Sequence, residues 1–413
     1  MIKSITSVKV TGRRVILRAG FDVPLKEGRG GKGEGEELIV ADDTRIKDVL
    51  STLKYLIGQK AKIIVMSHLG RPEGWDKSKS LRPVAEKLAQ LLNFKFVEIV
   101  DRIPSYSVPH LYFFAQDITK QDHSGWSKKI SAGNILFLEN LRFYPGEQQN
   151  DEEFVEVLAR FGDVYVNEAF SVAHRKDAST FGLARKLPAY GGVNFIKEIR
   201  SLQKIISNPA QPFVFMVGGA KIDDKIETIH NLAQHASQII VGGAVANAFL
   251  AAHGYEIGGS KVSDVPLARQ LLRSYKTKIV LPVDLVTAPN PAGTASLVKV
   301  DGVKKAEQIL DIGPESVRKF SGLIKQAQTL VWNGPFGLFE NPKFAFGSKS
   351  LAQVFASRSK GKAFGVIGGG ETVEVFDLAK VSQFVDHVST GGGAMLEFLA
   401  GKELPAIKAL EGK

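Results

Sequence analysis

Short apolar runs alternate along this chain with segments of helical period, and this alternation is the feature that most constrains the fold. The helical patterns cover residues 84–92, 154–161, 222–236 and 267–275. Such an alternation is typical of repeated strand–helix–strand units and of parallel sheets. Each half of the 413-residue chain carries its own set, and a chain of this length exceeds the size of a single growing core. The sequence therefore predicts an α/β protein with two domains.

The apolar runs end differently in the two halves. In the first half they lead to Arg18, to His68 and Arg71, to Arg142, and to His174 and Arg175. In the second half the runs 213–217, 239–241, 330–332, 364–367 and 384–389 each lead into a glycine cluster. Cationic side chains suit a small, multiply charged anion, whereas glycine lets backbone N–H groups approach a phosphate closely. We therefore expect two different crevices.

The first-half residues form a candidate anion site, because ligands of open α/β sheets bind at the carboxyl ends of the strands. The candidates are Arg18, Arg45, His68, Arg71, Arg142, His174 and Arg175. A lone arginine after a strand is ordinarily a solvated surface charge, but four strand ends repeat the pattern. Several arginines around one crevice repel each other unless a ligand with several negative charges lies among them. A small carboxylate that carries phosphate meets this requirement.

The second-half residues suggest a nucleotide site. Lys221 and Lys225 are spaced so that both could project from the start of one helix toward a phosphate chain, although an ordinary charged amphipathic helix has the same spacing. Residues 368–372, Gly-Gly-Gly-Glu-Thr, combine a helix start, a carboxylate and a hydroxyl, as a magnesium nucleotide requires. Neither a Walker motif nor a Gly-x-Gly-x-x-Gly dinucleotide fingerprint occurs.

Composition and charge limit the functions and cellular locations that the chain could have. The formal net charge is +11, which raises nucleic-acid binding, but no run of lysine and arginine exceeds two residues, so we expect no nucleic-acid partner. The chain has no cysteine, which excludes disulfides and thiolate chemistry. No apolar stretch reaches the roughly 18 residues of a spanning helix, and residues 1–6 lack a secretion signal. We expect a cytoplasmic protein that does not enter a membrane.

Two segments bear on domain organisation. Gly191-Gly192 opens a helical pattern that ends before Asn208-Pro209, and we interpret it as a connecting helix with a flexible start. Residues 26–37 are rich in glycine and charge and predict an exposed hairpin or loop. The weakly patterned residues 399–410 could pack on either domain.

Several motifs together resemble one known family. Residues 67–72 (SHLGRP), 331–335 (VWNGP) and 389–394 (STGGGA) closely resemble signatures of phosphoglycerate kinase, in the same order along the chain. Further matching segments include 21–24, 43–46, 138–143, 165–167, 169–170, 173–175, 218–221, 224–226, 311–314 and 339–340. The resemblance covers nearly the whole chain.

The resemblance implies two Rossmann-like domains, each a parallel sheet flanked by helices, joined by a helix across an open cleft. It implies a phosphoglycerate-binding domain over 1–190, a connecting helix over 191–206, a nucleotide-binding domain over 207–395 and a tail over 396–413 that returns to the first domain. The implied reaction is the reversible, Mg²⁺-dependent phosphoryl transfer of glycolysis from 1,3-bisphosphoglycerate to ADP, giving 3-phosphoglycerate and ATP. A monomer that works by domain closure is the expected form.

The resemblance also assigns residues. The implied substrate-binding residues are Phe21, Asp22, Arg45, His68, Leu69, Gly70, Arg71, Arg142 and Arg175. The implied nucleotide-binding residues are Lys221, Lys225, Gly313, Asn333, Glu340, Gly369, Gly370, Glu371 and Thr372, with Glu371 also as the metal ligand. The implied catalytic residues are Arg45, Lys221, Gly370 and Gly393. Gly191-Gly192 and residues 389–393 are the expected hinges.

Several positions depart from the family pattern. The family usually has aspartate at the positions of Gly20, Glu168 and Glu371. It usually has asparagine at the position of Asp22 and histidine at that of Asp177. Gly20 removes an expected partner of the substrate hydroxyl, and the longer Glu371 shifts the metal unless the backbone compensates. Activity is nevertheless expected. The alternatives are an inert nucleotide-binding scaffold, a nicotinamide-dependent oxidoreductase and a nucleic-acid-binding protein.

Overall fold

The computed structural model describes residues 2–28, 38–99, 103 and 108–411. The chain divides into two compact units. Unit 1 contains Met1–Ile199 and Glu403–Lys413, and unit 2 contains Arg200–Lys402. Each unit is built around its own parallel sheet.

The strands of unit 1 are β1 (Arg14–Ala19), β2 (Leu25–Glu27), β3 (Leu38–Val40), β4 (Lys62–Met66), β5 (Lys95–Glu98), β6 (His110–Phe114), β7 (Ile135–Leu138), β8 (Val164–Glu168) and β9 (Ala189–Gly191). Seven of them form one sheet in the order β5-β6-β7-β4-β1-β8-β9, and every pair is parallel. Strands β1, β4, β6, β7 and β8 are almost wholly buried. Burial on both faces explains their continuous apolar runs.

The first helices of unit 1 are α1 (Thr44–Gly58), α2 (Arg82–Leu92), α3 (Gly125–Lys129), α4 (Pro145–Gln149), α5 (Glu152–Ala159) and α6 (Leu183–Lys186), followed by α7 (Val193–Ser207), which continues into unit 2. Helix α2 shows why they form: Val84, Ala85, Leu88 and Ala89 are buried on one face, as the helical period requires. These side chains join Leu17 of β1 in one apolar core.

The strands of unit 2 are β10 (Phe213–Val217), β11 (Gln238–Val241), β12 (Ile279–Val280), β13 (Asp284–Ala288), β14 (Ser296–Lys299), β15 (Gln308–Ile312), β16 (Thr329–Asn333), β17 (Phe364–Gly368) and β18 (His387–Ser389). Six form a parallel sheet in the order β12-β11-β10-β16-β17-β18. The other three form a small antiparallel sheet, β14-β13-β15.

The remaining helices are α8 (Ile226–His235), α9 (Gly243–His253), α10 (Val265–Tyr275), α11 (Pro314–Gln326), α12 (Phe346–Ser359), α13 (Gly370–Leu378), α14 (Gly393–Leu399) and α15 (Pro405–Leu410). The core of unit 2 surrounds Trp332, whose ring meets Phe336, Phe355 and Phe376. Helix α15 belongs to unit 1, where the Ala406 N–H donates to the Ala173 carbonyl at 3.0 Å.

Each parallel sheet reverses its strand order near its middle. In unit 2 the chain moves outward from β10 through β11 to β12 and later from β16 through β17 to β18 on the other side. In unit 1 the central strand β1 has β4 on one side and β8 on the other. A ligand crevice of an open α/β sheet lies at such a reversal, beyond the carboxyl ends of the strands.

The predicted fold class is confirmed, since two parallel sheets are flanked by helices. Strands β2 and β3 pair antiparallel on either side of the segment predicted as a hairpin or loop, whose residues 29–37 lie outside the described part. The antiparallel sheet of unit 2 was not predicted. Within the described residues, no helix has both the length and the apolar character needed to cross a membrane.

One helical expectation was wrong. The pattern at 222–236 begins as a 3-10 turn over Asp223–Lys225, and α8 starts only at Ile226. Lys225 has φ −120° and ψ −6°, which are not helical values. Lys221 and Lys225 therefore do not project from one helix.

Candidate functional site

Arg18, at the end of β1, is a buried residue that holds other residues of the unit 1 site in place. It is fully buried, and its guanidinium donates to Ser179 Oγ at 2.7 Å, to the Ala19 carbonyl at 2.5 Å and to His68 Nδ1 at 2.8 Å. The sequence grouped Arg18 with the residues that face an anion, but its donors are used inside the protein. It therefore orients a neighbouring side chain instead.

His68 is that neighbour, and it is 1% exposed. Burial first, and then the positive charges of Arg18, Arg142, Arg175 and Arg45, hold the pKa of His68 well below its ordinary value. The imidazole is neutral at neutral pH, and the bond from Arg18 to Nδ1 leaves the proton on Nε2. His68 offers an anion one N–H donor and no charge, contrary to the expectation of converging positive charges.

Arg142 is the buried guanidinium of unit 1 best suited to an external ligand. It follows β7 in the turn Leu141–Phe143 and is 4% exposed. Its Nη1 donates to the Gly70 carbonyl at 2.5 Å, whereas its Nε and Nη2 have no hydrogen-bond partner among the described residues. Burial, reinforced by Arg175 and Arg18, lowers the pKa of Arg142 to about 10. Unpaired buried donors are costly, and an anion would satisfy them.

Asp22 organises the loop after β1. Its Oδ1 accepts from the Gly70 N–H at 2.8 Å, and its Oδ2 lies 3.8 Å from His68 Nε2. The Asp22 carbonyl also accepts from Arg45 Nη1 at 2.6 Å. The structure thus brings together four of the predicted substrate residues: Asp22, Arg45, His68 and Gly70.

The other predicted substrate residues differ in exposure. Phe21 is fully buried and stacks on Phe137 at 5.9 Å, and Leu69 is 3% exposed, so neither side chain is accessible to a ligand. Arg175 is half-buried and Arg71 is exposed. Their charges remain accessible.

Two buried carboxylates offset the arginines of unit 1. Glu147 of α4 is fully buried, with Oε1 3.9 Å from Arg18 Nη2, and it accepts from Ser179 Oγ and Ser179 N at 2.5 and 3.0 Å. Burial raises the pKa of Glu147 while Arg18 opposes the rise. The second carboxylate, Asp177, is 4% exposed. Sequence reasoning missed Glu147, because the charge pattern considered only residues beyond strand ends.

Two of the departures from the family pattern have a clear local setting. A Cβ on Gly20 would lie 3.4 Å from Ser171 Oγ, an ordinary contact, so a side chain can begin there without a clash at its Cβ. Glu168 caps α7: it accepts from Thr52 Oγ1 at 2.6 Å and from the N–H groups of Asn194 and Phe195 at 3.0 Å. Burial, opposed by these bonds, raises the pKa of Glu168 to about 7.

In unit 2 the glycine turns beyond β10, β11 and β16 pack against one another. The N–H groups of Gly218, Gly219 and Gly243 donate to the carbonyls of Asn333, Pro335 and Phe336 at 2.9, 2.8 and 3.2 Å. Gly334 has φ +90°, in the region that favours glycine. These donors were expected to approach a phosphate, but here they join the turns. Glycine is required because the backbones approach so closely.

Beside these turns, oppositely charged side chains approach the same point. A Cβ built on Gly219 would lie 3.6 Å from Lys225 Nζ and 3.9 Å from Glu371 Oε2. Burial lowers the pKa of Lys225, and the charges of Asp224 and Glu371 oppose that shift. The Lys225 ammonium donates to the Lys221 carbonyl at 3.2 Å, and the Lys221 side chain is exposed. This arrangement of an ammonium group and a carboxylate suits a phosphate chain.

A cavity of about 250 Å³ opens next to the same turns. It is bounded by Gly219, Gly243, Asn247, Lys261, residues 308–312, residues 335–338, Glu340 and Glu371, among others. Apolar walls with few polar groups are typical of small-molecule pockets. Two of the predicted nucleotide-binding residues, Glu340 and Glu371, border this cavity. Asn247 and Lys261 were not predicted, since they follow no strand end.

The other predicted nucleotide residues shape the turns. Thr372 is fully buried and its Oγ1 accepts from the Gly334 N–H at 2.7 Å, while Asn333 Nδ2 donates to the Gly368 carbonyl at 2.8 Å. Gly313 precedes α11 and would meet the Asp284 carboxyl if it carried a Cβ. Gly369, with φ +92°, precedes α13.

The predicted catalytic glycines begin helices. Gly370 is the exposed first residue of α13, and Gly393 is the exposed first residue of α14. The first N–H groups of a helix have no intrahelical acceptor, so the start of α13 offers donors to an anion. Gly393 borders a second cavity, with Asp224, Lys225 and Thr228.

The fold and the two residue sets define a two-unit Rossmann-like α/β protein. The family model of phosphoglycerate kinase matches residues 5–402. The chain is 41% identical to phosphoglycerate kinase of Pelotomaculum thermopropionicum over 419 aligned residues, covering 100% of this chain and 99% of the relative. It is 42% identical to that of Desulforudis audaxviator, with the same coverage.

Solved structures agree. Phosphoglycerate kinase from Coxiella burnetii superposes with a TM-score of 0.82 at 35% identity, covering 99% of both chains. The enzyme from Pyrococcus horikoshii gives 0.82 at 29% identity, covering 99% of this chain and 98% of the other. The chain belongs to the phosphoglycerate kinase family.

Proposed function

We propose that this protein catalyses the reversible transfer of a phosphoryl group between 1,3-bisphosphoglycerate and ADP, giving 3-phosphoglycerate and ATP. The acceptor in the reverse direction is the carboxyl group of 3-phosphoglycerate. Family membership supports the phosphotransferase class, and the site geometry supports the division of labour between the units. We place the reaction in glycolysis, in the cytoplasm, and expect a monomer.

The observation that carries the proposal is the buried guanidinium of Arg142. Two of its nitrogens lack a partner among the described residues, in a cluster with half-buried Arg45 and Arg175 and neutral His68. Guanidinium groups bind phosphate and carboxylate through paired donors. A small ligand that carries both groups would satisfy this cluster, with Arg71 as a further accessible charge.

Unit 2 would hold the nucleotide. The cavity beside Gly219 and Gly243 takes the nucleoside, and Glu340 at its border faces the ribose end. Lys221 and Lys225 take the phosphates, together with the N–H groups at the start of α13. The Asn333 and Thr372 side chains keep the turns in place for this ligand.

The chain fits magnesium. In nucleotide sites Mg²⁺ is held by one or two carboxylates together with the phosphates, and Glu371 supplies one such carboxylate beside the Gly219 turn. When bound, the ion neutralises charge on the phosphate oxygens. Among the described residues no group of three or more acidic or histidine side chains forms a metal cage, which agrees with a metal carried by the nucleotide.

Catalysis would come from positioning and electrostatics. Phosphoryl transfer passes through a loose, highly charged transition state and needs no nucleophile on the protein. Arg45 and Lys221 supply positive charge to the transferring group, and the N–H groups at Gly370 and Gly393 bind its oxygens. His68 donates a hydrogen bond from Nε2 without adding charge.

Closure of the two units would bring the ligands together and exclude water that hydrolyses the acyl phosphate. We propose Gly191-Gly192 and residues 389–393 as hinges. In unit 1 the Glu168 carboxylate lies against Gly192, and a Cβ there would overlap it. Any side chain at position 192 would therefore disturb the start of α7.

The test is a coupled assay of ADP formation from ATP with 3-phosphoglycerate, with and without Mg²⁺. We expect turnover that depends on both 3-phosphoglycerate and Mg²⁺ and that Arg45→Ala reduces at least about 100-fold. The exposed Arg185→Ala in the same unit is the matched control. An inert scaffold would bind ATP without turnover, and a change in NADH absorbance on titration would instead favour an oxidoreductase.

A further inference from the structure

Residues 71–75 form a surface loop of unit 1 that begins with Arg71, one of the predicted substrate residues. Within the described part of the chain, residues 71–75 make no hydrogen bond and no ion pair. The specific contacts of the loop come from Trp75, whose ring packs on the rings of Phe143 and Tyr144, with centroids 4.8 and 6.1 Å apart. Trp75 is therefore the side chain that ties the loop to the rest of unit 1.

The segment 142–144 holds this loop at both ends. Arg142 Nη1 donates to the Gly70 carbonyl at 2.5 Å, and Gly70 directly precedes Arg71. The next two residues of the segment meet Trp75 at the other end of the loop. The segment with the unpaired Arg142 donors thus also supports the loop that carries Arg71.

Phe143 and Tyr144, the aromatic platform, form a fixed surface under Trp75. They are 4% and 5% exposed. The Tyr144 ring meets that of Phe154 at 5.2 Å, and its hydroxyl accepts from the Ile118 N–H at 3.2 Å. Trp75 itself is 52% exposed, so it covers the platform from outside and does not belong to the core. Replacing Trp75 should therefore free the loop without unfolding unit 1.

The backbone of the loop depends on such a contact. Gly70 has φ +63° and Gly74 has φ +149°, in the region that favours glycine. Ordering a chain that contains glycines costs much conformational entropy, and packing between aromatic rings offsets part of this cost. Without Trp75 the loop would populate other conformations, and Arg71 would move with it.

We propose that Trp75 is a positioning residue that acts through Arg71. By packing on the aromatic platform, it keeps the loop where the Arg71 guanidinium binds the same anion as Arg142. The apparent affinity for the anion then scales with the fraction of molecules whose loop is packed on the platform. The identity of the anion, a phosphorylated carboxylate, rests on the proposed function.

The experiment is steady-state kinetics of the full chain with 3-phosphoglycerate and ATP. Trp75→Ala should raise the KM for 3-phosphoglycerate about tenfold, as expected if the packed fraction falls to about one tenth, and should leave the KM for ATP unchanged. Arg71→Ala should raise the first KM at least as much. Trp75→Phe keeps a ring on the platform and should stay close to the wild type. A loss in Trp75→Phe as large as in Trp75→Ala contradicts the role of ring packing.

The double variant Arg71→Ala/Trp75→Ala distinguishes positioning from a general structural role. It should have the KM of Arg71→Ala, because Trp75 then has no guanidinium to position. A further tenfold rise, or an unchanged KM in Trp75→Ala alone, overturns the proposal. If Trp75→Ala does not fold, Trp75→Gln replaces it with the same expectation. Trp126→Ala is the matched control: this half-buried tryptophan of unit 1 meets Phe114 at 6.4 Å, and its loss should not change the KM for 3-phosphoglycerate.

Calorimetric titration with sulfate separates the proposal from the proposed function, since guanidinium groups bind this dianion without any turnover. Wild type that binds sulfate more tightly than Trp75→Ala, with no such difference once Arg71 is alanine, but does not turn over 3-phosphoglycerate, supports positioning and contradicts the proposed substrate. Turnover with the same KM in wild type and Trp75→Ala supports the substrate and overturns positioning. Wild type that neither binds sulfate nor turns over overturns both.

Discussion

The two units carry opposite chemistry at the same topological position. At the reversal of the unit 1 sheet, the strand ends lead to arginine and histidine side chains that balance Asp22, Glu147 and Asp177. At the reversal of the unit 2 sheet, they lead to glycine turns whose backbones bond to each other. A site built from side chains is adjusted by charge and burial, whereas a site built from backbone is adjusted by the space that a missing Cβ leaves. The two should therefore fail in different ways.

The largest expected effect is in the glycine turns of unit 2. A Cβ on Gly218 would overlap the carbonyl oxygens of Pro335 and Gly334, so Gly218→Ala should destabilise unit 2 by more than about 3 kcal/mol. Thermal unfolding measures the change. Gly370→Ala is the control, because no atom lies within 4 Å of its added Cβ.

Gly370→Ala also tests the comparison. It should fold like the wild type yet weaken ATP binding, if a phosphate approaches the start of α13 closely. Unchanged ATP affinity in this variant would mean that the backbone there does not contact the nucleotide.

The next effect concerns the side-chain site. Arg142→Lys keeps a positive charge but loses the planar fork and the Nε donor, so the KM for 3-phosphoglycerate should rise about 100-fold, or about 3 kcal/mol. Steady-state kinetics measures it, with the exposed Arg185→Lys as control. A KM within threefold of the wild type (about 0.7 kcal/mol) would show that charge alone suffices there.

Buried carboxylates should give the units different pH profiles. The pKa of Glu168 is raised from 4.5 to about 7, so the folded state holds its proton more tightly than the unfolded chain. Its contribution to the free energy of unfolding is largest below about pH 4.5 and falls by about 3 kcal/mol as pH rises to 7. Glu168→Gln should remove this decline in thermal unfolding, and the exposed Glu156→Gln should not.

Unit 2 also contains a buried carboxyl group with a raised pKa, that of Asp311. Asp311 accepts from the N–H groups of Gly347 and Ile312 at 2.8 and 2.9 Å, and burial, opposed by those bonds, raises its pKa to about 8. The contribution of Asp311 to the free energy of unfolding should therefore keep falling to a pH about one unit higher than that of Glu168. If the loss of stability ended at the same pH in Asp311→Asn and in Glu168→Gln, the two different pKa values would be contradicted.

The smallest effect is expected at position 20. Gly20→Asp adds a Cβ that meets no close contact and restores a carboxylate that the family resemblance assigns to the substrate hydroxyl. One added hydrogen bond should lower the KM for 3-phosphoglycerate by up to about tenfold. Gly125→Asp, a position with nothing within 4 Å of its Cβ, is the control for added charge. An unchanged KM would contradict this account of the departure.

Sequence reasoning found several strands of both parallel sheets and most of the residues at their ends, because burial on both faces and glycine turns leave a local pattern. It placed Arg142 and Glu371 correctly after a strand and at a helix start. It could not find Glu147, which meets Ser179 across 32 positions, or Asn247 at the cavity. Such partners are set by how helices pack on the sheet, which no local period records.

The amino-acid sequence by itself determined the two parallel sheets and the family, because the periods of apolar residues and the glycine runs are local properties of the chain. Only the tertiary structure decided which arginine uses its donors inside the protein, as Arg18 does, and which keeps donors without a partner among the described residues, as Arg142 does. Arg18 and His68 lie 50 positions apart and meet inside unit 1, and burial with four arginines keeps that histidine neutral. Protonation depends on charges and solvent exclusion in three dimensions, so residue type alone could not reveal it.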